Sequence, residues 1–178
     1  EWNQFIRSKN YLLQCAIGLI LGIIVPMNFL IMGNMGLEKI TFIVPALICF
    51  FIGCSNTTYC SMSMEGKRHW IMESSPVFMQ ELKKTKILLY IILVFPIIIF
   101  AGISMGAAFR MSISGVASSM MISVLYAVLL AIWGNYLGER FADYSRESES
   151  MVLHRGIPFV FGYLPGIVLP IVILVLSI

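Results

Sequence analysis

The residues whose types and spacing could do more than fill a core lie in one polar stretch, Glu65 to Lys86, reading EGKRHWIMESSPVFMQELKKTK between long apolar runs. Glu65, Gly66, Lys67 and Trp70 precede a Ser75-Pro76 break, and Glu81 and Lys86 head the helix that follows. Residues 61–73 read as a short amphipathic helix on a membrane surface. Met62, Trp70 and Ile71 would face lipid or a groove, and Lys67 and Arg68 headgroups or solvent; tryptophan favours the interface. Serine is a natural helix cap and proline is tolerated in a first turn. The next helix should therefore begin near Pro76 and run through Glu81, Lys83, Lys84 and Lys86 into Ile87. Two helices then meet at a rigid elbow, whose chemistry is docking and the transmission of force.

Residues for bond-making are sparser. There is no G-x-x-x-x-G-K-[ST] phosphate loop, so the chain cannot bind ATP in that way. His69 and His154 lie in different loops without a carboxylate-rich zinc setting, and no H-E-x-x-H occurs. Cys15, Cys49, Cys54 and Cys60 fall in or at the edge of apolar runs, and the C-x5-C spacing of Cys54 and Cys60 matches no metal site. We expect four buried apolar thiols and no metal. Ser112, Ser114, Ser118 and Ser119 have no histidine in a span to act as base, which argues against an intramembrane serine protease. Glu139, Asp143, Glu147 and Glu149 are mixed with arginines and read as a solvated face. No catalytic residue is expected.

The elements that must position the elbow are hydrophobic. Of 178 residues, 59% are hydrophobic and 12% charged, against about 25% charged in soluble domains, and mean hydropathy is +0.91. The expected fold is an all-α integral membrane protein, one polytopic helical bundle over 1–178. Five runs are long enough to cross a hydrocarbon layer of about 30 Å, which takes about 20 helical residues: 11–32, 40–60, 87–109, 115–137 and 157–178. Short loops at 33–39 and 110–114 make antiparallel hairpins of the first pair and of the third and fourth spans. The polar segments are the elbow, 61–86, and a second loop, 138–156.

The net charge of +3 is spread over loops, with no basic, aromatic-interleaved patch for nucleic acid. It speaks instead to orientation, because Lys and Arg stay on the cytoplasmic side. Ten of the twelve lie in the N-terminal segment and the two polar loops, and only Lys39 and Arg110 fall opposite. The N-terminus and both polar loops should be cytoplasmic. The first run exceeds the roughly 7–15 residues of a signal-peptide core and lacks a small-residue cleavage site, so it reads as a span. Five spans, a start at Glu1 and an end within an apolar run lead us to expect at least one further helix.

No span interior carries Asp, Glu, Lys, Arg or His, which argues against an ion-coupled transporter. Gln14, Asn28, Asn56, Thr57, Thr58 and Asn135 are the polar groups at depth, expected to hydrogen-bond between helices. Pro26, Pro45, Pro96, Pro165 and Pro170 interrupt four spans; Pro96, Pro165 and Pro170 are hinge candidates. Gly-x-x-x-Gly occurs at 18/22, 102/106, 134/138 and 162/166, and points to a tight bundle.

The spacing of Glu65-Gly66-Lys67, Trp70, Ser75-Pro76, Glu81 and Lys86 resembles the signature of type-2 ABC exporter permeases, nearest the branch with an E-G-K-x-x-W-x-x-x-x-x-P segment. Gly134 to Gly156, with Gly138, Phe141 and Asp143, is similar to the loop after the fourth helix of that branch. Phe78 departs from the pattern, where many relatives have a small polar residue. The resemblance implies a six-helix set in a bacterial cytoplasmic (inner) membrane, with the elbow as a coupling helix docked on a separate cytoplasmic ATPase that holds ATP and magnesium. It places Glu65, Gly66, Lys67 and Trp70 on the coupling helix, and Ser75, Pro76, Glu81 and Lys86 at the elbow beneath the third span. It also implies a second permease half or homodimer partner among membrane lipids. The alternative function is a non-transporting scaffold or sensor that binds a soluble partner through its cytoplasmic loops.

Overall fold

A computed structural model of the chain describes residues 9–32, 43–56, 58–60, 76–141 and 157–176. Helix α1 spans Lys9–Met32, α2 Ile43–Cys54, α3 Pro76–Ala108, α4 Ile113–Arg140 and α5 Ile157–Leu176, with a 3-10 turn at Thr58–Cys60. Among the described residues there is no strand. The expectation of an all-α membrane protein holds in this form. Three helices are long and apolar enough to cross a bilayer: Cys15–Met32 of α1, Lys83–Ala108 of α3 and Ile113–Arg140 of α4.

Among the described residues the expected five spans are corrected to these three. The second run does not continue as one helix: α2 stops after twelve residues, and the chain turns through Ser55 and Asn56 into the 3-10 turn. The polar run Ser55-Asn56-Thr57-Thr58 is the cause, because short hydroxyl and amide side chains compete for the backbone bonds that would extend a helix. Ser55 Oγ donates to Phe51 O and Ile52 O at 3.3 and 3.0 Å. Asn56 Oδ1 accepts from Thr58 N at 3.3 Å, the bond that closes an Asx turn. Helix α5 is continuous over twenty residues with Pro165 and Pro170 inside it, and among its described side chains the apolar stretch is Val160–Val172.

The twelve residues of α2 are the axis of the bundle, eight of them buried. Val44, Ile48 and Ile52 pack with Tyr90, Val94, Ile98 and Met105 of α3 and with Tyr126, Leu130 and Ala131 of α4. Helix α1 lies against α2 and α3, and α5 against α2 and α4. The outward faces stay apolar, as with Ile31 at 79% and Leu125 at 63% exposed. Such faces would aggregate in water and are at home in hydrocarbon.

Helices α3 and α4 form a long hairpin with one unchanging stagger. Lys83 pairs with Glu139 at one end, and Gly102 abuts Met120 and Gly106 abuts Val116 toward the other. The turn between them is a Schellman closure, with Met111 N donating to Gly106 O at 2.9 Å and Arg110 N to Ala107 O at 3.3 Å. It holds Arg110 at φ 49°, a region usually left to glycine. Ser112 then caps α4, accepting from Gly115 N at 3.2 Å. The expected 110–114 turn is thus met at 109–112.

Candidate coupling site

Of the residues singled out at the elbow, Glu65, Gly66, Lys67, Trp70 and Ser75 lie outside the described residues. Pro76 is the first residue of α3, as its tolerance at a helix start requires. Glu81 is exposed and accepts from Lys84 Nζ at 3.0 Å across one helical turn. Lys86 immediately precedes the apolar run that starts at Ile87 and is buried, at 4% exposure.

The stagger of the hairpin puts Lys86 level with Asn135 and Tyr136 of α4. Asn135 is 6% exposed, and its Oδ1 has no hydrogen-bond partner among the described residues. One turn further out, Lys83 Nζ meets Glu139 Oε1 at 2.7 Å. Sequence alone put Glu139 on a solvated face among arginines. Its 52% side-chain exposure agrees, but its partner is a lysine of the elbow helix. The remaining loop carboxylates, Asp143, Glu147 and Glu149, lie outside the described residues.

The break in α2 meets the same end of the hairpin. Gly134 and Gly138 leave room for Thr58 and for the Tyr59 backbone, and a Cβ on Gly138 would lie 2.8 Å from Tyr59 O. Gly162 of α5 lies against the Tyr59 ring, where a Cβ would come within 2.8 Å. The polar atoms of the break are answered. Thr58 Oγ1 donates to Asn56 Oδ1 at 2.7 Å, Asn56 Nδ2 to Gly162 O at 3.2 Å, and Tyr90 OH to Ile52 O at 2.9 Å. Irregular backbone is tolerated at membrane depth only where protein or a wet cavity surrounds it. Here Ser55, Asn56, Thr58 and Tyr59 are all at 1% exposure or less.

The two prolines of α5 explain a second set of bonds. Proline has no N–H, so Pro165 leaves Phe161 O without its helical donor and Pro170 does the same to Gly166 O. Trp133 Nε1 donates to Phe161 O at 3.1 Å. Gly166 O faces Gly53 of α2, so close that a Cβ on Gly53 would strike it. Tyr126 OH adds a bond to Pro165 O at 2.8 Å. Pro165 and Pro170 therefore free carbonyls on the side of α5 that faces α4 and α2. Pro96 is exposed and lines an apolar groove of about 510 Å³ with Leu30 of α1 and Ile99, Phe100, Ile103, Ser104 and Ala107 of α3. Ser104 Oγ bonds back to Phe100 O in the same turns, a second bending influence beside the proline.

All four Gly-x-x-x-Gly pairs are used within the bundle. Gly18 and Gly22 receive Phe51 and Ile97, and the other three pairs serve the contacts already given. Of the polar groups at depth, Asn56 bridges helices as expected and Asn28 bonds within its own helix; Thr57 and the Gln14 side chain lie outside the described residues. Cys15 and Cys49 are buried and Cys54 half-buried, while the Cys60 side chain is outside the described residues. Sequence reasoning missed Tyr90, Tyr126 and Trp133 as bonding residues, since aromatic residues in apolar runs read as packing. The prolines were the usable signal, because each implies a carbonyl that something must answer.

Among the described residues no three His, Cys, Asp or Glu side chains converge on a metal position. The arrangement joins the first turns of α3 to α4 by an ion pair, α4 to the α2 break through close contacts at Gly134 and Gly138, and α3 to the end of α2 through the Tyr90 hydroxyl. No protein-family model, no curated protein and no solved structure matches this chain.

Proposed function

We propose that the chain is the membrane-spanning permease subunit of an ATP-driven ABC exporter in a bacterial cytoplasmic (inner) membrane. The observation that carries this reading is the continuity of α3. It starts at Pro76 on the elbow and runs unbroken for 33 residues through Glu81 and Lys86 to Ala108, a rod of about 50 Å. A push on the elbow by a partner ATPase, which holds ATP and magnesium, reaches the far side of the membrane along that rod. The constant stagger of the hairpin and the Lys83–Glu139 pair carry α4 with it. Pro96 and the groove beside it are where α3 can bend. Helices α2 and α5 complete the bundle beside these spans, with the N-terminus, 61–86 and 138–156 in the cytoplasm. The moving path lies between this subunit and a second permease half among membrane lipids.

The test is whether the neighbouring reading frame encodes a protein with a phosphate loop and whether the chain co-purifies with that protein, comparing wild type with Glu65→Ala and Trp70→Ala. Both variants should lose bound ATPase and stimulated ATP hydrolysis. Unchanged binding and hydrolysis in both would overturn the reading in favour of a non-transporting scaffold or sensor. Labelling of a Lys67→Cys variant from outside the cell would overturn the topology.

A further inference from the structure

The outward face of α4 changes character along its length. Leu125, Leu129, Ile132, Tyr136 and Arg140 follow one another at steps of three and four residues, so they share one side of the helix, and all are exposed. The first three are aliphatic, and hydrocarbon satisfies them. The last two ask for more. Arg140 Nη1 donates to Tyr136 OH at 3.2 Å, which sets a guanidinium and a phenol side by side at the end of an apolar stripe. The Tyr136 ring lies beside that of Trp133, 6.2 Å between centres, and Trp133 is tied to α5 by its bond to Phe161 O.

A guanidinium has five N–H donors, and Arg140 uses one of them among the described residues. The phenol accepts that bond and keeps its own O–H to give. Lys83 and Lys84 at the same end already face carboxylates, Glu139 and Glu81. The described partner of Arg140 is neutral, so among the described residues its charge is uncompensated. Two adjacent donors and a positive charge fit the oxygens of a phosphate, which a guanidinium takes through two parallel N–H bonds. What carries that phosphate follows from depth. From Arg140 to Leu129 the helix rises about 16 Å, close to one leaflet's half of a hydrocarbon layer of about 30 Å. The face therefore offers a cation at headgroup level, a phenol at the interface and aliphatic side chains down one leaflet, which is the profile of a phospholipid. A zwitterionic headgroup brings its own cation to its phosphate. An anionic headgroup does not, and gains more from Arg140.

We propose that the outward face of α4 binds an anionic phospholipid, with its phosphate on Arg140 and Tyr136 and an acyl chain along Ile132, Leu129 and Leu125. The site needs neither an ATPase nor a second copy of the chain, so its test is independent of the exporter reading.

The experiment uses the full chain with Trp2 and Trp70 replaced by phenylalanine, which leaves Trp133, beside Tyr136, as the single tryptophan. This parent is reconstituted in phosphatidylcholine vesicles containing equal shares of either brominated phosphatidylglycerol or brominated phosphatidylcholine, whose bromines quench tryptophan on contact. Quenching should give phosphatidylglycerol a relative affinity about fivefold the higher. Arg140→Gln should abolish the preference, and Arg140→Lys should restore part of it. Arg110→Gln, which removes an exposed cation from the other end of the hairpin, should leave it unchanged. Circular dichroism checks that each variant keeps its helices, as expected for surface positions. Equal affinities in the parent, a preference that survives Arg140→Gln, or one lost equally in Arg110→Gln overturns the proposal. Inorganic phosphate in excess should not compete; if it does, the site takes a free anion and the lipid assignment falls. A Trp133 that neither lipid quenches means that protein covers the face, and overturns the proposal too.

Discussion

The α3–α4 hairpin and the α2–α5 pair are both antiparallel neighbours, yet they are held by different means. The hairpin is two long helices with one stagger, in which glycines receive the side chains of Met120 and Val116, the first of them flexible. The α2–α5 pair is a short helix against a proline-containing one, in which backbone meets backbone, Gly53 on Gly166, and Asn56 Nδ2 past the end of α2 donates to Gly162 O. The first is apolar packing with slack in it. The second is a set of positions with one permitted occupant each. In a membrane, where the hydrophobic effect does not press helices together, the second kind of contact specifies a structure and the first lets it slide or tilt.

The contrast breaks most sharply at the glycines. Gly53→Ala should lower stability by about 3 kcal/mol, because the added methyl meets the carbonyl and Cα of Gly166, whereas Gly102→Ala should cost about 1 kcal/mol, since the unbranched Met120 side chain can change rotamer. Unfolding by SDS in mixed micelles measures both, and equal losses would erase the distinction. Asn56→Leu comes next, at about 2 kcal/mol in the same assay, for it removes the bonds Asn56 makes to Gly162 O and from Thr58 in a buried site. Trp133→Phe keeps the ring and loses the bond to Phe161 O, so about 1 kcal/mol is expected. The smallest effect belongs to the hairpin. Lys83→Met should cost at most about 1 kcal/mol, falling further as salt is raised, because the pair with Glu139 is partly exposed. A large, salt-independent loss there would mean that the hairpin too is specified by polar contacts.

The sequence carried the fold class in its composition, and the start of α3 in Ser75-Pro76. Charge placed the polar end, where Lys83 and Glu139 indeed meet. What it hid was the break in α2. Ile40–Cys60 is apolar enough on average to count as one span, and averages do not see that Ser55 and Asn56 offer the backbone a local alternative. Lys86 was hidden for the related reason that a run of apolar letters begins at Ile87, although a helix packed on a neighbour can enclose a long polar side chain one residue earlier. Of the candidate site only Pro76, Glu81 and Lys86 fall among the described residues, all on α3. Its link to Asn56, Asn135 and α5 depends on contacts between residues far apart in sequence.

The bond between Trp133 and the carbonyl freed by Pro165 has a consequence for how such a chain can change over generations. A lineage that acquired the proline first would carry an unanswered carbonyl in α5 until a donor appeared. A lineage that acquired the tryptophan first would hold only a spare indole, harmless at a surface position. The two residues therefore have a preferred order of arrival and the reverse order of loss: replacing Pro165 frees position 133 to drift, while replacing Trp133 exposes the proline to selection.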